Sequence, residues 1–191
     1  MEKVTETLHE VVELLDRLAI EYAIMGGFAV RAHGVPRPTY DVDLTLELPR
    51  ESLDHLFREL RDYDFEIPEI YETGWVDQLK GMPLLKVRRY MGGETLDVDL
   101  FLAEAGFLTE VMERRRRVDA EGKMLWVITP EDIVLLKLLA SRPRDLGDIE
   151  DVFFMQAPLD ESYMRSWAKV LGVETELEEV IAEHRQKPTN P

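Results

Sequence analysis

The sequence predicts an α+β fold: a mixed sheet flanked by helices, followed by a helical C-terminal part. Two observations carry the strands and one carries the helices. Residues 41–48 alternate strictly, with Asp41, Asp43, Thr45 and Glu47 on one face and Val42, Leu44, Leu46 and Leu48 on the other. Residues 96–102 repeat the pattern, with Asp97, Asp99 and Phe101 opposite Leu96, Val98, Leu100 and Leu102. Such alternation marks half-buried strands, whose successive side chains point to opposite faces. From residue 129 onward the apolar positions recur at helical spacing only, which divides the chain into an α+β core, 1–128, and a helical subdomain, 129–191.

Element by element, Val4, Leu8, Val11, Val12, Leu15 and Leu18 recur at helical spacing, so a helix opens the chain over 4–19. Residues 22–25 form a short apolar strand that ends at Gly26-Gly27, and 28–33 form a helix stopped by Gly34. A Pro36-Arg37-Pro38 loop leads into the strand at 41–48. Residues 51–62 form an amphipathic helix with Leu53, Leu56, Phe57 and Leu60 inward. Segment 63–82, rich in proline, glycine and aromatics, shows no period and stays unassigned. Strands 84–90 and 95–102 flank a Gly92-Gly93 turn. After a helix near 105–114, residues 115–128 form a hairpin turning at Glu121-Gly122. Thr129-Pro130-Glu131-Asp132 starts a helix with a capping residue, proline at the first helical position and the acidic half of a capping box. Helices follow over roughly 130–140, 146–156, 160–171 and 174–185, and the last few residues are expected to fray.

The chain of 191 residues is 45% hydrophobic and 32% charged, an ordinary composition for a globular protein, and holds no cysteine. That excludes disulfides, thiolate zinc sites and a cysteine nucleophile. The acidic amphipathic start is unlike a secretory signal and no apolar run approaches membrane-spanning length, so a cytoplasmic location is expected. The formal net charge of −16 argues against a long nucleic acid as partner. One run, Arg114-Arg115-Arg116-Arg117, stands against that background: either a solvated turn of helix or strand edge, or a site for a polyanion.

If the strands at 41–48 and 95–102 are neighbours, Asp41, Asp43, Asp97 and Asp99 crowd one surface. Carboxylates that close repel, and either some protonate or a cation holds them together. A hard divalent cation with oxygen ligands, Mg²⁺, suits such a set. An exposed edge-strand face is the other reading, although solvent faces usually mix signs. Only one of Asp97 and Asp99 is needed as a further ligand. Asp99, which leads into Leu100-Phe101-Leu102, is preferred and Asp97 is the alternative. Glycines such as Gly26 and Gly27 let a phosphate approach backbone N–H groups at a helix start, or simply make a tight turn. Lys137 interrupts an apolar helix and either snorkels or reaches a ligand. Trp126, Trp167 and Met164 are read as packing, with Trp75 a possible exception in the unassigned segment.

Gly26-Gly27-Phe28-Ala29-Val30, followed by Arg37-Pro38-Thr39-Tyr40-Asp41-Val42-Asp43-Leu44, resembles the signature of the DNA polymerase beta-like nucleotidyltransferase superfamily. Glu131-Asp132, Lys137-Leu138, Arg144-Asp145 and Asp148 resemble the C-terminal motif of its small prokaryotic branch that includes the AbiEii-type toxin nucleotidyltransferases. The resemblance implies a nucleotidyltransferase-like sheet and a two-metal transfer of an NMP from an NTP to an acceptor hydroxyl. Asp41 and Asp43 would hold two Mg²⁺ ions and Asp99 the ion at the acceptor hydroxyl. Gly26 and Gly27 would cradle the β- and γ-phosphates. Arg37, Thr39 and Lys137 are candidates for nucleotide contact, Arg37 being equally readable as a solvated or salt-bridged loop residue. Many superfamily members have Gly-Ser where this chain has Gly-Gly, so a backbone N–H must serve in place of the serine hydroxyl. Arg144, Asp145 and Asp148 form either an ion-pair network behind the site or part of it. The acceptor implied is a protein side chain, an RNA or tRNA 3′ end, or a small molecule such as an aminoglycoside. The competing function is a non-catalytic partner of a cognate antitoxin or a regulatory complex.

Overall fold

A computed structural model describes residues 2–186 and shows a mixed α/β fold. The expected fraying of the chain end falls on 187–191, outside the described residues. The opening helix α1 (Glu2–Arg17) is followed by β1 (Glu21–Ile24), α2 (Gly26–Ala32), β2 (Val42–Glu47) and α3 (Leu53–Arg61). Then come β3 (Phe65–Glu66), a 3-10 turn (Glu69–Thr73), β4 (Asp77–Leu79), β5 (Met82–Met91) and β6 (Glu94–Leu102). Helix α4 (Phe107–Arg114) leads to the hairpin β7 (Arg116–Ala120) and β8 (Lys123–Val127), and helices α5 (Pro130–Ala140), α6 (Pro143–Gln156), α7 (Glu161–Leu171) and α8 (Glu174–Gln186) follow.

All eight strands join one sheet in the order β3-β5-β6-β2-β1-β8-β7, with β4 added beside β5. The pairs β2–β6 and β1–β8 are parallel and the others antiparallel. The two aspartate strands are therefore direct neighbours. Val42, Leu44 and Leu46 on β2, with Val98, Leu100 and Leu102 on β6, are buried in a core shared with Leu8, Val11, Val12 and Leu15 of α1. The opposite, acidic face is not free solvent surface. Thr45 is 0% exposed and sits in register with the buried Phe101.

The unassigned stretch resolves into strands of two and three residues, too short for alternation to register, plus one 3-10 turn. It is tied to the sheet by Tyr71, whose hydroxyl donates to Asp77 Oδ2 (2.6 Å) and accepts from the Lys86 N–H (2.9 Å). Helix α5 starts on the expected capping box: Thr129 Oγ1 accepts from the Asp132 N–H (3.4 Å) and Asp132 Oδ2 accepts from the Thr129 N–H (3.3 Å). Helix α6 starts earlier than expected, at Pro143, because Asp145 accepts from the backbone N–H of Arg142 (3.1 Å), the acidic half of such a box. Helices α6, α7 and α8 all pack against α5. Among the described residues no helix is long and apolar enough to cross a membrane.

Candidate active site

Parallel pairing of β2 with β6 sets Asp43 in register with Asp99. Antiparallel pairing of β1 with β2 carries the chain from β1 to the glycine pair beside them, where the Met25 N–H donates to the Asp43 carbonyl (2.8 Å). Gly26 has a left-handed φ of 57°, and a Cβ there would overlap the Asp43 carboxylate. A Cβ on Gly27 would run into the Thr39 side chain, its Cβ 2.8 Å away. The two glycines thus let Asp43 and Thr39 close in on the strand-to-helix turn, a steric demand no other residue meets at Gly26.

Gly26, Asp41, Asp43, Asp99 and Lys137 all line one open cavity between the acidic face of the sheet and α5. Leu79, Met82 and Phe101 form one apolar wall, and Ile133, Leu136 and Leu139 form the other. Lys80 and Arg142 complete the lining. Gly27, Arg37 and Thr39 stand behind this surface, against the glycine turn. Asp97 does not line the cavity: its side chain is 69% exposed and pairs with Arg88 (3.3 Å). Trp75 is exposed, with its indole N–H on Asp77 (2.9 Å), whereas Trp167 packs on Phe107 and Met164 is fully buried.

The carboxylates are electrostatically unsettled. Burial in the cavity, then the charges of Asp41 and Asp99, push Asp43 up from the usual carboxylate range to about 7, against the pull of Arg142 and Lys137. Asp99 accepts from Lys86 Nζ (2.8 Å) and Asp41 accepts from the Thr39 hydroxyl (3.3 Å). Held in these contacts, they do not converge into a ready cluster of three metal ligands among the described residues. The donor set is nevertheless all oxygen, with three carboxylates on one cavity. The residues therefore fit a hard divalent cation.

Behind the carboxylates lies a second charged cluster of alternating sign. Lys137, 6% exposed, donates to Asp145 Oδ1 (3.1 Å) and to Asp148, so it is a buried ion-paired lysine and not a snorkelling one. Arg37 pairs with Asp148. Arg142 grips Asp145 through Nε (2.8 Å) and Nη2 (3.2 Å). Burial raises Asp145, but the hydrogen bonds from Arg142 and Lys137 outweigh it and leave the carboxyl below its ordinary range. The arginine of the network is Arg142; Arg144 is exposed. Sequence reasoning missed Arg142, Lys80 and Lys86. The Arg142 signal was its place three residues before Asp145 at a Pro-led helix start. Lys86 follows from the register of a hairpin turning at Gly92-Gly93, which sets it opposite Asp99.

The arginine run lies far along the sheet, with β7 at the edge and separated from β2 by β8 and β1. Arg114 stacks on Tyr163 (3.7 Å) and pairs with Glu131 (3.4 Å). Arg115 and Arg117 flank Trp126, and Arg115 also pairs with Glu21. Arg116 is exposed. The run is in the main the trim of an edge strand and of the α4–α7 contact.

The family model described as "Nucleotidyltransferase of unknown function (DUF6036)" matches residues 1–169. An antigenic nucleotidyltransferase-like protein from Paracoccidioides brasiliensis superposes with a TM-score of 0.57 at 22% identity, over 95% of this chain and 93% of that one. The antibiotic-resistance factor ANT(2'')-Ia gives 0.57 at 18% identity, over 97% and 98%. The lincosamide antibiotic adenylyltransferase LnuA, bound to lincomycin, gives 0.52 at 15% identity, over 77% and 94%. At such identities the structural likeness shows a shared fold. No match is found among curated proteins. The chain belongs to the DUF6036 nucleotidyltransferase family.

Proposed function

We propose that this family member transfers an NMP from an NTP to an acceptor hydroxyl, at the cavity between β2, β6 and α5. One observation carries it: Asp43 and Asp99 in register on adjacent parallel strands, with Asp41 and Gly26 on the same cavity and Asp43 lifted to about 7. Asp41 and Asp43 would hold Mg²⁺, with Asp99, once released by Lys86, as the further ligand. Mg²⁺ bound there supplies charge neutralisation and Lewis acidity for in-line displacement at phosphorus. Gly26 and Gly27 let Asp43 and Thr39 close on the strand-to-helix turn, and the backbone N–H groups of that turn would receive the triphosphate. Thr39 fixes Asp41, while Arg37 and Lys137 steady the turn and α5 through Asp148. The apolar walls exclude water from the donor, which favours positioned attack over hydrolysis.

Lys80 and Arg142 at the cavity offset the −16 background where an anionic donor has to bind. The same background favours a cationic small molecule or a protein side chain over a long RNA as acceptor. Two fold relatives are named as an antibiotic-resistance factor and an antibiotic adenylyltransferase, which puts small molecules first in the search. Protein side chains and tRNA ends come next. The chemistry draws on the NTP and Mg²⁺ of the cytoplasm.

The test offers each α-labelled NTP, with Mg²⁺ or with EDTA, to a panel of aminoglycosides, lincosamides, tRNA and proteins. Label should pass to one acceptor class, with release of pyrophosphate, only when Mg²⁺ is present. NTPs that bind nowhere on the protein, and release no pyrophosphate with any acceptor, would instead favour the non-catalytic partner of an antitoxin or regulatory complex.

A further inference from the structure

We propose that Arg142 binds the polyphosphate of the donor nucleotide, an inference that rests on the nucleotidyl-transfer function proposed above. Its first support is place. Arg142 lines the cavity with Asp41, Asp43 and Gly26, close enough that its charge draws Asp43 downward.

The second support is orientation. Asp145 takes Nε, Nη2 and the backbone N–H of Arg142, which fixes the guanidinium plane and leaves Nη1 without a protein acceptor among the described residues. Ser141, in the left-handed region at φ 56°, turns the chain sharply at the end of α5 to deliver that arginine. A non-glycine residue in this region costs energy, so the turn is held by its surroundings.

The third support is the charge balance of the network. Three cations, Arg37, Lys137 and Arg142, face two carboxylates, Asp145 and Asp148. Lys137 is buried between both carboxylates, and Arg37 is spent on Asp148 with its side chain only 16% exposed. The surplus positive charge therefore resides at Arg142, whose side chain is 54% exposed. A guanidinium already braced on one carboxylate presents its free N–H groups with little further loss of side-chain freedom. Its planar donors suit phosphate oxygens. The other uncommitted cation of the lining, Lys80, sits on the β4–β5 turn, opposite α5, whereas Lys86 is engaged by Asp99.

The test is titration calorimetry on the full chain with Mg²⁺. The NTP that binds tightest, its monophosphate and inorganic pyrophosphate are compared for wild type, Arg142→Met and Arg142→Lys, with thermal melts to verify folding. Loss of a charged hydrogen-bond donor predicts NTP and pyrophosphate affinity falling by about tenfold or more in Arg142→Met. The monophosphate should change less than about twofold, and Arg142→Lys should lie between, keeping the charge but not the fork. If Arg142→Met does not fold, the lysine variant alone carries the comparison, expected to weaken NTP more than NMP. Equal losses for NTP and NMP, or no loss, would overturn the assignment. So would tighter Mg²⁺ binding with NTP affinity unchanged, which would make Arg142 a mere counter-charge to Asp43. A wild-type protein that binds no NTP would overturn the function itself, and this contact with it.

Discussion

The two charged clusters at the site both hold buried or half-buried aspartates and behave in opposite ways. In front, Asp41, Asp43 and Asp99 crowd like charges, and burial, then the charges of Asp41 and Asp99, drive Asp43 up to about 7. Behind, Asp145 and Asp148 are interleaved with Lys137, Arg37 and Arg142, and Asp145 is driven down. A cluster that satisfies itself braces the fold, and here it also holds Arg142 in place. A cluster that repels itself costs stability in the free protein and has use only for what it binds. Mutations should therefore separate the two: the front losing activity and gaining stability, the back losing stability first.

The largest effect should come from the front. Asp41→Ala/Asp43→Ala is expected to lower NMP transfer by about a thousandfold or more, since several kcal/mol of charge stabilisation is removed. Its urea midpoint should stay at or above that of wild type. Next, Lys137→Met removes the buried cation shared by Asp145 and Asp148, leaving each with one arginine, and should cost about 2–3 kcal/mol in urea unfolding. A loss under about 1 kcal/mol would break the contrast.

Asp43→Asn sharpens it further. Because the folded-state value is raised, from 3.8 to about 7, the folded protein holds more protons than the unfolded chain between those values. Metal-free stability therefore falls as pH climbs through that window, and the penalty is complete above it. Asp43→Asn should be more stable than wild type at pH 8 by on the order of 2 kcal/mol, with little difference at pH 4. Mg²⁺ should narrow the gap by stabilising wild type alone. The smallest effect belongs to Asp97→Ala. It breaks only an exposed pair with Arg88 and should change stability by less than about 0.5 kcal/mol and transfer by less than about twofold. Asp99→Ala, one strand position pair away, should nearly abolish transfer.

The front cluster was far more legible than the back. Period-two alternation exposed both aspartate strands, and the glycines at 92–93 implied the hairpin that aligns β5 with β6. The capping box at Thr129 was equally plain. Lys86 was overlooked although that same hairpin sets it against Asp99. In the back network the Arg37–Asp148 pair depends on tertiary approach of the 36–38 loop to α6, which no local pattern encodes, whereas Arg142 was within local reach, three residues before Asp145, and Arg144 drew attention instead. The acidic strand face also misled in part: Thr45 and Phe101 lie on it yet are buried, as β2 and β6 are central strands. Segment 63–82 remained opaque because Tyr71 organises it through Asp77 and the Lys86 backbone rather than through periodicity.

The most direct test of the central claim is calorimetric titration of ATP, CTP, GTP and UTP, each with and without Mg²⁺, into wild type and Asp41→Ala/Asp43→Ala. A cavity that uses its repelling carboxylates to hold Mg²⁺ and nucleotide predicts binding of at least one NTP that requires Mg²⁺ and is lost in the double variant. NTP binding that is indifferent to Mg²⁺ and to both aspartates, or no binding at millimolar nucleotide, would contradict it.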